Sequence, residues 1–320
     1  MFLRKRRVAA LFETADDAKS NYSLESFPLR PTLPLPQGVK RDELFEWLRS
    51  VRVSNAPESI VSYCEQDFER FVQTFGLVQR AVAGVNGPVV GLELGANPYF
   101  TTMLLKSFSP VEWRLANYFG PQVPKGDSSQ RVYLNEFRNP EARAEVELAY
   151  SHFNIEEDEF PFETGSLDVV LFCEIIEHLL NDPCRVLREI KRILRDNGTL
   201  VLTTPNVNRI ENVARMIVGA NIYDPYSAFG PYGRHNREYN KHELSLLLSY
   251  VGFTIEEMFT ADVHHNMTSA YLDPARFGHL VEYREHDLGQ YIFVRARKTG
   301  DDRGKKPEWL YRSYQPSEVE

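Results

Sequence analysis

Cysteine is scarce in this chain: Cys64, Cys173 and Cys184 are the three among 320 residues, an odd number with no C-x-x-C spacing. That pattern excludes a disulfide framework and a paired-thiolate zinc site, and it leaves buried thiols in a reducing compartment as the expectation. Long apolar runs are missing too. The longest, such as residues 167–172 and 175–180, fall far short of the ~20 residues that a membrane-spanning helix requires. Near residue 1, Arg4, Lys5, Arg6 and Arg7 precede an apolar stretch that ends after five residues at Glu13. This is too short for a secretory leader, and a cytoplasmic protein is expected. Positive charge is not in surplus either. Thirty-seven Lys and Arg against 45 Asp and Glu give a net charge of −8, which argues against a phosphate backbone as the main partner.

What is present changes character along the chain. Residues 1–40 combine a basic start, an acidic patch and the proline-rich stretch 27–36, a composition that resists helix and central strand and reads as an arm. Over residues 41–84, Leu44, Phe45 and Leu48 form one short apolar face and Phe68, Phe71, Val72, Phe75 and Val78 another; two helices are expected there, as a cap. From residue 88 onward short apolar runs alternate with helical segments, the pattern of a parallel sheet covered on both faces. Strands are expected at 89–95, 113–118, 146–153, 168–173 and 199–204, with a longer polar stretch between the second and third. Helices are expected at 99–108, 183–194 and 241–250, and segments 253–259 and 290–296 close the sheet as an antiparallel edge pair. The fold class is therefore α/β: a doubly wound, Rossmann-like, mostly parallel sheet with an antiparallel edge, spanning residues 85–297, plus an N-terminal helical extension. Residues 298–320 read as a charged tail. In such a sheet, ligands sit beyond the carboxyl ends of the strands where the strand order switches.

Three strand ends carry chemistry. Gly95 directly follows the first strand, where the absence of a Cβ lets backbone approach a ligand; it is one glycine of a G-x-G-x-x-G fingerprint, and a tight turn would look the same. Glu174 ends the fourth strand and is followed by Glu177 and His178, and the fifth strand ends in Thr204, Pro205 and Asn206.

Taken in order, these stretches resemble class I S-adenosylmethionine-dependent methyltransferases of the ubiquinone and menaquinone type. The resemblance rests on Glu93-x-Gly95, on Phe160-Pro161-Phe162 with Asp168-Val169-Val170 and Glu174-x-x-Glu177-His178, and on Asn197-Gly198-Thr199-Leu200 with Thr204-Pro205-Asn206. The segment from Asp224 through Gly230, Gly233, His235 and Tyr239 further resembles bacterial members associated with surface-glycan and natural-product pathways. The resemblance implies S-adenosyl-L-methionine as cofactor, with Glu93, Gly95 and Ala96 at its methionine end, Asn154 and Ile155 at the adenine, and Glu174 lining the methyl-donor pocket. Carboxylates beside a cationic ammonium and sulfonium are electrostatically reasonable. Asn117 falls where the family holds the ribose hydroxyls with an acidic residue; an amide can accept one hydroxyl and donate to another, without the charge-assisted bond.

Glu174, Glu177 and His178 share one face if a helix begins at the strand end. Two carboxylates and an imidazole suit Mg²⁺ or Mn²⁺, and the stretch resembles metal-dependent members acting in the ubiquinone pathway or on the 3′ end of small RNAs. In the RNA enzymes a downstream histidine completes the site, and His235 is the candidate. Carboxylates in a helix's first turn are, however, also stabilised by its dipole, and metal-free relatives share the segment, so no resident metal is expected.

His178 and His235 are the catalytic candidates, since imidazole has a suitable pKa for a general base; a structural hydrogen bond is the other role open to His178. Tyr223, Tyr226, Tyr232 and Tyr239 lie in a long connection that either meets an acceptor or packs the loop. His264 and His265, being adjacent, cannot share a strand face and are assigned to a loop.

Three functions stay open. The leading one is O-methylation of a small molecule or glycan precursor. The second is a metal-assisted RNA 2′-O-methyltransferase, against which stand the acidic balance and Arg237 where a second histidine would strengthen the likeness. The third is a non-catalytic cofactor-binding or scaffold protein.

Overall fold

The computed structural model describes residue 33 and residues 35–54, 56, 60–284 and 286–320. The arm expected over residues 1–40 lies mostly outside the described residues. The chain enters through α1 (Arg41–Arg49), the two-residue strand β1 (Arg52–Val53) and the long helix α2 (Ile60–Val82). It then builds β2 (Val89–Leu94), α3 (Phe100–Phe108), β3 (Val111–Asn117), β4 (Gly126–Glu136), β5 (Asn139–His152) and β6 (Leu167–Cys173). After β6 come α4 (Pro183–Ile193), β7 (Leu194–Pro205), α5 (Ile210–Val218), α6 (Lys241–Val251), β8 (Phe253–Ala261) and β9 (Tyr291–Lys298).

Local chemistry sets these boundaries. Asp182 caps α4 by accepting the Arg185 N–H, with Pro183 in the first turn; proline needs no hydrogen bond there and its ring presets the helical φ. Asn240 caps α6 in the same way through the Glu243 N–H, and Gly252 ends it in the left-handed region.

Among the described residues, nine strands form one sheet in the order β1-β4-β5-β3-β2-β6-β7-β9-β8. The centre is parallel, from β5 through β3, β2 and β6 to β7, while β9 and β8 close one side antiparallel. Two apolar layers cover the faces. One joins α1, α2 and α3 to Trp113, Phe259 and Phe293; the other joins α4 and α6 to Leu92, Val170, Leu200 and Val294.

Three expectations need correction. The polar stretch between the second and third strands is itself a strand: β4 forms a long antiparallel hairpin with β5, which begins at Asn139 rather than 146. Val132 and Leu134 are its buried residues, too few to raise the period-two signal above a polar background. No α-helix begins at the end of β6, either. Glu174 adopts φ 54°, a single 3₁₀ turn follows at Ile176–His178, and the helix waits until Pro183, which disfavours helical geometry in the residue before it. Finally, the charged tail is docked. Asp302 pairs with Arg188 at 2.6 Å, Lys306 with Asp182 at 2.5 Å, and the buried Tyr311 donates its hydroxyl to Asp182 at 2.6 Å.

The three cysteines are free, and burial pushes the Cys64 and Cys173 thiols up to about 12. Among the described residues no helix is long and apolar enough to cross a membrane.

In the middle of β2, a Cβ added to Gly91 would lie 2.6 Å from the Trp113 ring and 2.9 Å from Val111. Gly91→Ala is expected to lower stability by about 1–3 kcal/mol through overpacking, measured by urea unfolding; an unchanged midpoint would show that the β2–β3 layer has slack.

Candidate functional site

The order switches at β2, which has β3 on one side and β6 on the other. One residue before its carboxyl end, Glu93 is 6% exposed and accepts the Thr102 hydroxyl from the first turn of α3. Burial pushes its carboxyl up to about 8, against the lowering effects of Thr102 and Arg70. Gly95 takes φ +64°, and a Cβ there would lie 3.0 Å from Ile175 in the turn after β6. Glycine is thus demanded both by the left-handed conformation and by the close approach of two strand ends. The Ala96 N–H donates to the Ala116 carbonyl at 3.2 Å.

Asn117, at the end of β3, is spent inside the protein. Its Oδ1 accepts the Asn97 N–H at 2.8 Å and its Nδ2 donates to the Tyr99 hydroxyl at 3.0 Å; that hydroxyl donates onward to Gln130 of β4 at 2.6 Å. A carboxylate could take the Asn97 N–H but has no proton for Tyr99, so an amide is what this network needs. The ribose contact implied by the resemblance therefore competes with bonds the residue already makes.

Asn154 uses its Oδ1 on the Glu156 N–H at 2.9 Å and sets its Nδ2 3.4 Å from the Tyr232 hydroxyl. Ile155 is half-buried beside it. Tyr118 stacks on His152 at 5.4 Å and meets Tyr232 edge-on at 5.9 Å. The buried His152 accepts the Phe119 N–H through Nε2, and its Nδ1 has no hydrogen-bond partner.

The densest chemistry lies after β6. Glu174 accepts the Thr203 hydroxyl at 2.7 Å, and burial raises its pKa against the opposing Arg70. Glu177 is fully buried; its Oε2 accepts the Thr204 hydroxyl at 2.9 Å while its Oε1 has no hydrogen-bond partner and faces His178 Nε2 at 3.8 Å. Burial, with Glu174 nearby, pushes Glu177 up to about 8. The Nδ1 of His178 lies 2.9 Å from the Arg234 carbonyl, so that nitrogen carries the proton and Nε2 keeps its lone pair. Burial and the neighbouring His235 lower the pKa of His178. His235 stands edge-on to His178 at 5.0 Å and is oriented by Glu238, whose Oε1 lies 3.0 Å from its Nδ1. Burial works against charge on His235, but Glu238 and Glu177 outweigh it and raise the pKa. One ligand atom each from Glu177, His178 and His235 lies within 4.8 Å of the others. The fourth candidate, Glu174, is not in that group.

The loop carrying His235 is pinned by main chain. The Glu177 carbonyl accepts the Asn236 and Arg237 N–H groups at 2.7 and 3.1 Å, and Asn236 Nδ2 donates to the His178 carbonyl at 2.9 Å. Of the tyrosines, Tyr239 is buried and packs, Tyr223 and Tyr226 are exposed, and Tyr232 borders the crevice. His264 and His265 are exposed in a loop. Sequence reasoning missed Arg70, Thr203, Gln130 and Glu238; of these, Glu238 had a signal, a carboxylate three residues after His235 just before a helix.

This arrangement offers a neutral imidazole that can take a proton, three convergent donors that can hold a cation, and buried carboxylates suited to a cationic ligand. Residues 111–258 match a family described as a methyltransferase domain. A Mycolicibacterium smegmatis protein named as a probable S-adenosylmethionine-dependent methyltransferase is 33% identical over 124 residues, 39% of this chain and 42% of that protein. A Mycobacterium tuberculosis protein similarly named is 37% identical over 95 residues, 30% of each. The chain thus spans less than half the length of these curated relatives. A solved S-adenosylmethionine-dependent methyltransferase from Archaeoglobus fulgidus superposes with a TM-score of 0.44 and 14% identity, over 74% of this chain and 99% of that one. Over residues 111–258 the chain is thus similar to methyltransferase domains, and the curated relatives it matches are named as probable S-adenosylmethionine-dependent methyltransferases.

Proposed function

We propose that the chain methylates an oxygen of a small molecule or glycan precursor, with His178 as the base that takes the acceptor's proton. The observation that carries this reading is the state of His178: its Nδ1 is fixed on the Arg234 carbonyl, leaving a free lone pair at Nε2 beside the end of β6. Its lowered pKa keeps it neutral near pH 7, the form a general base needs. S-adenosylmethionine, when bound, supplies an electrophilic methyl group and leaves as S-adenosylhomocysteine. Glu93, Gly95, Ala96, Asn154, Ile155 and Glu174 are the residues that would hold it, and the buried carboxylates Glu93 and Glu174 fit its cationic groups. Asn117 would contribute through the loop it fixes. His235 and Glu238 steady the base and border the acceptor's side, where Tyr232 adds a hydroxyl. Much of the rate in such a transfer comes from holding the acceptor in line in a site that excludes water.

One observation favours a second reading, against the expectation of no resident metal. Glu177 Oε1 is buried without a hydrogen-bond partner, beside the nitrogens of His178 and His235. A divalent cation held there would lower the pKa of an acceptor hydroxyl by polarising it.

Three outcomes are expected. Methyl-labelled cofactor should label a hydroxyl of a small-molecule or glycan fraction, and His178→Ala should cut that rate by roughly 10²–10⁴-fold with S-adenosylhomocysteine affinity nearly unchanged; label appearing in RNA instead would overturn the acceptor class. Glu93, at about 8 in the free protein, holds its proton at neutral pH and must lose it to face a cation. S-adenosylhomocysteine affinity should therefore rise with pH towards 8, by at most about tenfold per unit, and Glu93→Gln should flatten the profile. No binding at any pH would favour a non-catalytic scaffold. Lastly, Mn²⁺ added to metal-stripped protein should bind saturably if the second reading holds, and Glu177→Gln or His235→Ala should abolish that binding; no heat of binding leaves the imidazole base alone.

A further inference from the structure

One helix of this chain is inside out. α5 turns its polar side chains inward: Glu211, 6% exposed, accepts the Met267 N–H at 2.6 Å and the Gln290 side-chain amide at 3.1 Å, and the fully buried Asn212 donates to the Val207 carbonyl at 3.0 Å. Its apolar residues face the other way. Ile210, Val213 and Ile217 fall on one stripe of the helix, half-buried at first and exposed by Ile217, with Met216 exposed beside it and Val218 at the helix end. A helix packed on a soluble core shows the reverse arrangement. Nor are these side chains scattered singly over the surface. Among the described residues, the eight most exposed large apolar side chains all lie between residues 216 and 280, and a gathering of that kind marks an interaction surface.

The parts adjoin. α5 packs against the short helix Thr268–Tyr271, where the Arg215 guanidinium lies 4.6 Å from the centre of the Tyr271 ring. The loop leaving α5 carries Tyr223, Tyr226 and Phe229, which are 80%, 91% and 92% exposed, with the Arg234 guanidinium 4.5 Å from the centre of the Tyr226 ring. Rings so exposed stand clear of their own chain and form protrusions, not the walls of a groove. A protein partner would need a pocket matched to each of them. A lipid surface closes round any apolar protrusion, and tyrosine suits it with an apolar ring and a polar tip. Charge agrees with that occupant. Histidines apart, the charged side chains of residues 213–234 and 263–281 are Arg215, Arg234 and Arg276 against Asp224 and Asp273. Both acids are turned to backbone, Asp224 to the His235 N–H and Asp273 to the Ala275 N–H, each at 3.0 Å. A chain of net charge −8 thus keeps its surplus negative charge off this face.

We propose that this face docks on an anionic lipid bilayer, with the apolar side chains of α5 and its loop entering the headgroup region and Arg215, Arg234 and Arg276 beside the lipid phosphates. The loop runs directly into His235, which stands edge-on to His178 at 5.0 Å, so the docked face borders the mouth of the site. Resting on the methyltransferase reading above, the acceptor is then an amphiphile: its hydrocarbon stays in the bilayer while its hydroxyl reaches His178.

The test is flotation of the full chain, without cofactor, on vesicles of phosphatidylglycerol and on vesicles of phosphatidylcholine alone, with sedimentation and thermal melting of each protein. The wild type should float with the anionic vesicles and far less with the neutral ones. Ile217→Asp combined with Phe229→Asp should cut the bound fraction by about tenfold or more at an unchanged melting temperature, since both side chains are exposed. Trp309→Ser, at an exposed apolar residue of the docked C-terminal segment, should leave binding unchanged. If the double variant is unstable, Tyr226→Ser alone should still lower the bound fraction. No flotation by the wild type, equal flotation with the two lipids, or an equal loss in Trp309→Ser would overturn the inference. So would a wild-type dimer that the double variant dissociates, which gives the face to a second copy of the chain. A wild type that fails to float yet binds S-adenosylhomocysteine leaves the methyltransferase reading standing, whereas one that floats and binds no S-adenosylhomocysteine keeps the docking face and brings that reading down.

Discussion

The carbonyl oxygen of Glu177 accepts two backbone N–H groups from the loop that carries His235, and the geometry of the site hangs on that junction. The loop comes from between α5 and α6, far along the chain from β6, and nothing local would bring its histidine to His178. Main-chain bonds fix the loop without using side chains, which leaves the Glu177 carboxylate and both imidazoles available for chemistry. The Arg234 carbonyl belongs to the same junction and decides which nitrogen of His178 bears the proton. Position and protonation state are therefore set together, by one short stretch of chain laid against a single 3₁₀ turn.

Burial supplies the other organising force. Glu93, Glu174 and Glu177 all lie at strand ends under the cap or the loop, and for each desolvation is the largest influence on its proton. Their hydroxyl partners, Thr102, Thr203 and Thr204, satisfy one oxygen apiece without adding charge. Carboxylates held this way are poor at gripping a neutral ligand and well disposed to a cationic one, because a cation restores the stability that burial removed. The site is in this sense tuned by what it excludes.

Much of the scaffold was legible in the sequence because buried parallel strands are short apolar runs, and segments such as 168–173 and 199–204 leave little choice. The β4 strand was not, since its outward residues are polar and only Val132 and Leu134 face the core. The turn after β6 was misread for a different reason: a glutamate with positive φ has no compositional mark, and the Glu-x-x-Glu-His spacing suits a helix as well as the turn observed. Residues named as cofactor contacts fell at strand ends because the fold places them there. The network through Asn97, Asn117, Tyr99 and Gln130 joins residues up to 33 positions apart, and Arg70 is an ordinary helical arginine until α2 is laid across the sheet. Such features arise from tertiary contact and have no local pattern to betray them.

Asp182 shows how the far end of the chain enters this arrangement. It starts α4 by capping the Arg185 N–H, and the same carboxylate receives Lys306 and Tyr311 from the docked segment. Only Leu179, Leu180 and Asn181 separate it from His178, and Glu156 braces that interval by accepting the N–H groups of Leu180 and Asn181. The final stretch is thus a strap across the start of α4, three residues from the 3₁₀ turn that carries His178, and loosening it is expected to free the start of α4 first and that turn next.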